Sequence, residues 1–410
     1  MKLQISPEGR NIVTSSGEPI FLVADTAWAL PFRATLEEVT LYAKDRQSKG
    51  FNAALLMVIQ PDMQAEGPED RKAPHGFARA FEDLPLGHLR KRNEAYFEHL
   101  DKAIEILRDH GIIPLLTPLF YGFGWQGKNV IGPVADPEEA VAFATFLVQR
   151  YDQGPAIWLV GADGTGWEPA VGAMGQAIRK ISNQPIGIHY NPWQSNDAHW
   201  DEPWCDFHLC QSGHDGQHRP EMVATMAARP GRGVANGEPT YEGMSGGKNA
   251  LGTWQSEEAW LNVTCGGTMG VFYGAASLWQ WRREGETIWG EWCAGPWDWK
   301  GALDLEGSNY PGIVRKALDG LQFQDMTRSV LLARGKRCVA NEHMALIYLP
   351  RGGSFHFGAT GTYRVLNAQT GVEVATGVLT KDHTETHMGQ FVELPHGQDL
   401  CVAIRRSKRP

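Results

Sequence analysis

Along the first three quarters of the chain, short apolar runs rich in β-formers alternate with segments whose apolar positions recur every three or four residues. This is the signature of βα units in a parallel sheet. Eight runs can be read: Phe21–Ala24, Ala53–Ile59, Ile112–Leu119, Ala156–Val160, Pro185–Tyr190, Phe207–Gln211, Gly233–Glu238 and Gly270–Ala275. The segments between them carry helix signals. Thr35-Leu36-Glu37-Glu38 has the capping-box pattern and Gly50 closes that helix, while a long helix from Asn93 to His110 stops at Gly111. Asp136-Pro137-Glu138-Glu139 sets an N-cap, an N1 proline and first-turn acids ahead of a helix ending near Gly154. Further helices are expected over Glu168–Ser182, Pro220–Ala228, Ser256–Cys265 and Tyr310–Leu321. Before the first run, Leu3–Ser6 and Asn11–Thr14 read as a hairpin that plugs the bottom of the eight-run sheet.

Eight strands with intervening helices are the count of a closed (β/α)8 TIM barrel rather than an open doubly wound sheet. No G-x-G-x-x-G or P-loop follows the first run, which weakens a nucleotide-binding reading. From about Ser329 the texture changes to short alternating strands with turns such as Pro350-Arg351-Gly352-Gly353 and Thr370-Gly371, which predicts a small β-sandwich. The expected division is an α/β barrel over residues 1–325 and a β-sandwich over 326–410.

Composition narrows the function. With 410 residues, 42% hydrophobic and 21% charged, the chain can bury a large core, and it contains no apolar run long enough for a membrane helix. A net charge of −9 argues against a nucleic-acid or anionic-membrane surface. The six cysteines form no C-x-x-C pair, so free thiols are expected rather than a zinc ribbon or a disulfide framework. The first residues show no apolar stretch ahead of a small-residue cleavage site, and a cytoplasmic location is the expectation. Many of the 15 tryptophans fall in loop-like segments, where an apolar face with a polar edge suits sugar rings as well as a core.

In a barrel of this kind the active site forms at the C-terminal ends of the strands, so the end of each run is where chemistry is sought. Two carboxylates stand out. Asp163 follows Ile157–Val160 and Glu238 follows Val234-Ala235-Asn236; at the ends of the fourth and seventh strands they face each other across the mouth. Glycoside hydrolysis needs such a pair, one protonated to donate to the leaving oxygen and one ionised to attack or to activate water. The competing readings are local: Asp163 could cap the turn before the next helix, and Glu238 could pair with a nearby arginine. Asp25 is a third acid, placed either to bind a sugar hydroxyl or to cap the turn after the first strand. Trp28, Gln60, Tyr121, Trp193, Gln211, His214, Tyr241 and Trp279 are the candidate substrate contacts, with Phe120, Trp125 and Trp281 as further walls of the cleft. His214 is best explained as a donor to substrate or nucleophile. His189, His199, His208, His214 and His218 invite a metal reading, but neither an H-x-H after the first run nor an H-E-x-x-H occurs. No G-x-S-x-G supports a serine nucleophile either.

The strand-end motifs Phe21–Trp28, Lys49-Gly50-Phe51-Asn52, Asn93–Phe97, Trp158–Asp163, Gln211-Ser212-Gly213-His214 and Gly237–Tyr241 together resemble the apiosidase-like glycoside hydrolases, over nearly the whole chain. The tail around Ala345–Pro350 and Ala368–Gly371 is similar to the small β-sandwich, labelled collagen-binding, that often follows these barrels. The resemblance implies a retaining hydrolase without metal or organic cofactor, acting on β-linked apiose of plant pectin side chains. It implies Asp163 as acid/base and Glu238 as nucleophile. Around the acid this chain reads Gly161-Ala162-Asp163-Gly164 where the family usually has Gly-Gly-Asp followed by Arg or a polar residue, and Arg282–Cys293 is a Trp-rich departure after the last strand. The expected partner is therefore a carbohydrate, a plant-type glycoside or oligosaccharide. A catalytically silent sugar-binding protein and a metal-dependent barrel hydrolase are the alternatives.

Overall fold

The computed structural model describes residues 2–59, 80–81, 89, 91–121, 136–193, 197–244, 250–286, 296–380 and 389–407. Leu3–Ile5 (β1), Ile12–Thr14 (β2) and Pro19–Ile20 (β3) form a small antiparallel sheet. It sits under the barrel as expected: the Leu3 amide donates to Gln184 ahead of the fifth barrel strand, and the Asn11 side chain donates to the Thr268 carbonyl ahead of the eighth.

The barrel strands are Leu22–Asp25 (β4), Ala53–Met57 (β5), Ile113–Thr117 (β6), Ile157–Gly164 (β7), Ile186–Tyr190 (β8), Phe207–Gln211 (β9), Gly233–Glu238 (β10) and Gly270–Tyr273 (β11). All eight pair in parallel in the order β10-β9-β8-β7-β6-β5-β4-β11. The circle is completed between its two ends by the Met269 amide on the Val234 carbonyl and by a parallel bridge joining Glu242 to Ala275. The TIM barrel read from the apolar runs is thus the fold, and each run lies within a few residues of its strand.

Helix ends follow the local chemistry that predicted them. Thr35 and Glu38 form a reciprocal capping box at the start of Leu36–Ser48, and the Asn93 and Asp136 side chains cap Glu94–Asp109 and Pro137–Tyr151. Among the described residues, Cys205, Cys210, Cys265, Cys338 and Cys401 are buried free thiols, and no helix is long and apolar enough to cross a membrane.

After the barrel, Thr327–Arg328 (β12), Arg337–Ala340 (β13), Met344–Leu349 (β14), Gly352–Phe357 (β15), Gly361–Asn367 (β16), Glu373–Leu379 (β17), Gln390–His396 (β18) and Leu400–Arg406 (β19) build a six-stranded antiparallel sheet and a two-stranded one. Strand periodicity sorts the large sheet's side chains to two cores. Met344, Leu346, Tyr348, Cys401 and Ala403 join the barrel core, whereas Ala345, Ile347, Val402 and Ile404 join a separate cluster with Phe355, Phe357, Val392 and Leu394 of the small sheet. Against the first face lies the helix Thr253–Thr264. Its buried Trp260 stacks on Tyr348 at 6.1 Å and donates to the Ala368 carbonyl at 2.9 Å. Truncating that side chain removes the centre of the contact, so Trp260→Ala is expected to lower stability by about 3–5 kcal/mol in urea denaturation.

Candidate active site

Both strand-end carboxylates are delivered by irregular backbone. On β7 the pairing with β8 runs Val160↔Ile188 and then Gly164↔Tyr190, so this stretch of β7 carries two residues more than its partner. Gly161 (φ 76°) and Asp163 itself (φ 53°) are left-handed, the latter a conformation that costs a non-glycine residue free energy and clusters at functional positions. The bulged segment is held by the Tyr121 amide on the Ala162 carbonyl at 2.8 Å. On β10 the register slips by one between Asn236 and Glu238. The extra residue, Gly237, has no room for a side chain, since a Cβ there would come to 2.7 Å from Leu209 and 3.0 Å from the His189 ring. Bulges of this kind re-aim a side chain without ending the strand.

The two acids converge. One oxygen from each, with a nitrogen of His189, lies within 4.8 Å of the others. His189, fully buried on β8, is threaded between them: its Nδ1 stands 3.3 Å from Asp163 Oδ1 and its Nε2 3.2 Å from Glu238 Oε2. Glu238 has further partners on its other oxygen, with His214 Nε2 at 3.2 Å and the Tyr241 hydroxyl donating a short hydrogen bond. Trp28 Nε1 donates to that same hydroxyl at 2.9 Å, and its ring meets His189 edge-on at 5.5 Å.

These partners divide the roles of the two acids. Burial pushes the Asp163 carboxyl up to about 6, reinforced by the charge of Glu238 and only partly offset by His189. Burial acts on Glu238 in the same direction, but contacts from His189 and His214 outweigh it and hold the carboxylate well below its ordinary range. Asp163 is therefore the acid that keeps its proton up to about pH 6, where Glu238 is already ionised. Asp163 Oδ1, His189 Nε2 and Glu238 Oε2 are buried without an aligned hydrogen-bond partner among the described residues, leaving polar capacity turned toward one spot. One donor atom from each of the three also meets the spacing of a metal site.

The apiosidase-like catalytic domain matches residues 6–325. The chain belongs to the apiosidase-like glycoside hydrolases. Among solved structures, a glycoside hydrolase family 5 protein from Bacteroides vulgatus ATCC 8482 is 21% identical, with a TM-score of 0.79 over 99% of this chain and 93% of that one. Another, described as a glycoside hydrolase, is 19% identical, with a TM-score of 0.77 over 100% and 98%. An exo-β-1,4-mannosidase from Opitutaceae bacterium strain TAV5 is 15% identical, with a TM-score of 0.50 over 77% and 62%. At these identities the likeness is one of fold. No protein with a curated description matches.

Within this apiosidase-like barrel the expected contacts are placed unevenly. Tyr241, His214 and Trp28 surround Glu238 as described, and Gln211 Nε2 reaches His214 at 3.5 Å. Trp279 packs at 6.2 Å from Tyr241, Phe120 at 6.2 Å from Trp28, and Tyr121 is buried beside the Asp163 bulge. Trp193 is 56% exposed, with its indole lying on Gly213 next to His214. Gln60 and Trp125 lie outside the described residues. The local alternatives are met by other groups: Glu168, not Asp163, ties the turn by accepting from the amides of Thr165 and Gly166, and no arginine among the described residues pairs with Glu238. His189 was visible in the sequence only as one histidine among several. It lies inside its run rather than after it, where strand ends direct no attention.

Two expectations are corrected. Trp281 is not a cleft wall; it is fully buried, stacked on Trp299 at 4.5 Å with its Nε1 donating to Glu38. Asp25 neither reaches a sugar nor caps its turn, because it is completely buried in a 2.6 Å ion pair with the equally buried Arg46, whose guanidinium lies against Tyr42, Phe51 and Tyr273. Removing Arg46 leaves the fully buried Asp25 carboxylate without its ion-pair partner. Arg46→Met should cost about 3–5 kcal/mol of unfolding free energy. The Arg46→Met, Asp25→Asn double variant should recover much of that loss in the same denaturation assay.

Proposed function

We propose that the chain hydrolyses a plant-type glycoside, with apiosides the preferred class, and that it does so with retention of anomeric configuration. The observation that carries this reading is the approach of the two carboxylates. Retaining enzymes hold them about 5–5.5 Å apart so that one can attack the anomeric carbon, whereas inverting enzymes need about 6.5–9.5 Å to admit a water. One oxygen of each acid lies within 4.8 Å of the other, a closeness compatible with the first arrangement. Asp163, raised to about 6, is suited to protonate the leaving oxygen, and Glu238, kept ionised by His189 and His214, is suited to attack. Water then cleaves the glycosyl-enzyme as Asp163 takes up its proton. The exposed Trp193 offers a ring face at the mouth where a sugar can stack.

The test is a screen of aryl glycosides and plant oligosaccharides, followed by NMR of the first-formed product. A β-glycoside should release the β-anomer first, and an α-anomer would overturn retention. Glu238→Gln should lower turnover at least about 1,000-fold while leaving the melting curve in place. Asp163→Asn should lose about 10²–10⁴-fold on glycosides with poor leaving groups and far less on dinitrophenyl glycosides, which need no protonation.

The proton on Asp163 also fixes a pH dependence. The acid must be protonated to act, so kcat/KM should decline as pH rises through about 6, and that limb should disappear in Asp163→Asn assayed with an activated substrate. The cluster of Asp163, His189 and Glu238 keeps a metal-dependent hydrolase as the second reading. Loss of activity on treatment with a chelator, restored by a divalent ion, would favour it.

A further inference from the structure

The aromatic side chains nearest the two acids are packed away: Trp28, Tyr241 and Trp279 are buried on the Glu238 side, and Phe120 and Tyr121 are buried beside the Asp163 bulge. Trp193 differs, being more than half exposed and yet held in place. Its backbone is left-handed (φ 61°), a conformation that a bulky residue keeps only where its surroundings impose it. Two backbone bonds do so. The Asn191 amide donates to the Gly164 carbonyl at 3.0 Å, tying the start of the loop after β8 to the residue that follows the acid, and the Trp193 amide donates to the Gln211 carbonyl at 2.9 Å at the end of β9. The indole edge then rests on Gly213, where a Cβ would come to 2.4 Å from Nε1 and deny the ring its seat. Trp167, also exposed, lies instead against His199 over the helix Pro169–Ile181. Hydrogen-bonding capacity is left over on the residues that anchor Trp193: Asn191 Oδ1 and Gln211 Oε1 are both buried and accept no hydrogen bond from the described residues, a state in which buried acceptors are rarely left.

We propose that Trp193 is the platform for the leaving group, and that this group is itself a sugar: a pyranose whose C–H face stacks on the indole while its hydroxyls donate to Asn191 and Gln211. This rests on the assignment of Asp163 as the acid and Glu238 as the nucleophile. The bond that breaks joins the anomeric carbon to the leaving oxygen, which takes the proton of Asp163, so the leaving group lies against the strand that carries the acid or against a neighbour of that strand. β8 is such a neighbour, and among the described residues its loop presents the exposed ring. The buried rings that follow β4, β10 and β11 close in the glycone at Glu238, which leaves the β8 side for the departing half. A pyranose matches what is found there, since it has an apolar face to set on an indole and a rim of hydroxyls to meet acceptors. The platform is set before substrate arrives, because strand-end bonds rather than substrate hold the loop, and little ordering cost is left for binding. Contacts remote from the breaking bond can be spent on reaching the transition state. The preferred substrates are therefore di- and oligosaccharides rather than glycosides of small alcohols.

The test compares two substrates that share a glycone: a disaccharide in which apiose is β-linked to a pyranose, and apiosyl fluoride, whose leaving group has no ring. If the screen returns another glycone, the same pair is made with it. Trp193→Ala should lower kcat/KM on the disaccharide about 10- to 100-fold more than on the fluoride, and Trp193→Phe, which restores a ring, should recover most of the difference. Equal losses on the two substrates would make Trp193 part of the glycone site or of the fold and overturn the proposal, and so would a disaccharide value unchanged from wild type. Should Trp193→Ala not fold, Trp193→Gly, which suits the left-handed backbone, gives the same comparison. The glycosidase reading is judged apart, on the fluoride: an active Glu238→Gln would overturn that reading, whereas an inactive one beside a Trp193→Ala with equal losses would overturn the platform alone.

Discussion

Two carboxylates with oxygens within 4.8 Å of each other, both withdrawn from water, repel by about 3 kcal/mol even at an effective dielectric constant of 20. The site meets this cost by distributing donors unequally. Glu238 receives His189 on one oxygen and both His214 and Tyr241 on the other, while Asp163 has only the remaining nitrogen of His189. The shared environment therefore places the proton on Asp163. Two similar groups come to differ in protonation because four successive strands, β7 to β10, each deliver a different partner to one point.

Regular strands could not make that delivery. In a regular ladder successive side chains alternate between faces, and residues beyond the last paired position have no defined aim. Each acid follows an interruption instead: two additional residues and a left-handed Asp163 on β7, one additional residue at Gly237 on β10. The energetic cost is local strain, tolerated because packing around it leaves few alternatives. Val171 would lie 3.0 Å from a methyl group on Gly161, and His189 would lie 3.0 Å from one on Gly237. The second constraint is reciprocal, since the glycine that frees Glu238 also fixes the ring that contacts it.

The architecture was legible because it rests on local rules. Apolar runs marked the eight strands, capping residues such as Thr35, Asn93 and Asp136 marked helix starts, and strand ends singled out Asp163 and Glu238. Long-range partners were not legible. Asp25 ends its strand as an active-site acid would, and only the fold brings Arg46 from the next helix to neutralise it. Trp281 and Trp193 read alike as loop aromatics, yet one is buried against Trp299 and the other lies open at the mouth. His189 was read only as one of five histidines, because it lies within β8 rather than at its end, and only the fold brings it to both acids.

The helix Thr253–Thr264 ties the distal sheet to this chemistry. Its Glu258 accepts from Asn236, two residues before Glu238 on β10, and from Asn262 and His218, while Asn236 also donates to Ser212 next to the end of β9. Its opposite face carries Ser256 and Trp260, both donating to the Ala368 carbonyl of the C-terminal region. Without that region the Trp260 face would lie open to water, and the helix would lose the apolar burial that holds it against β10. A buried glutamate is tolerated only where its donors keep their positions. The large C-terminal sheet thus backs the helix whose Glu258 meets Asn236 on β10, and the one-residue bulge beyond Asn236 sets where Glu238 points.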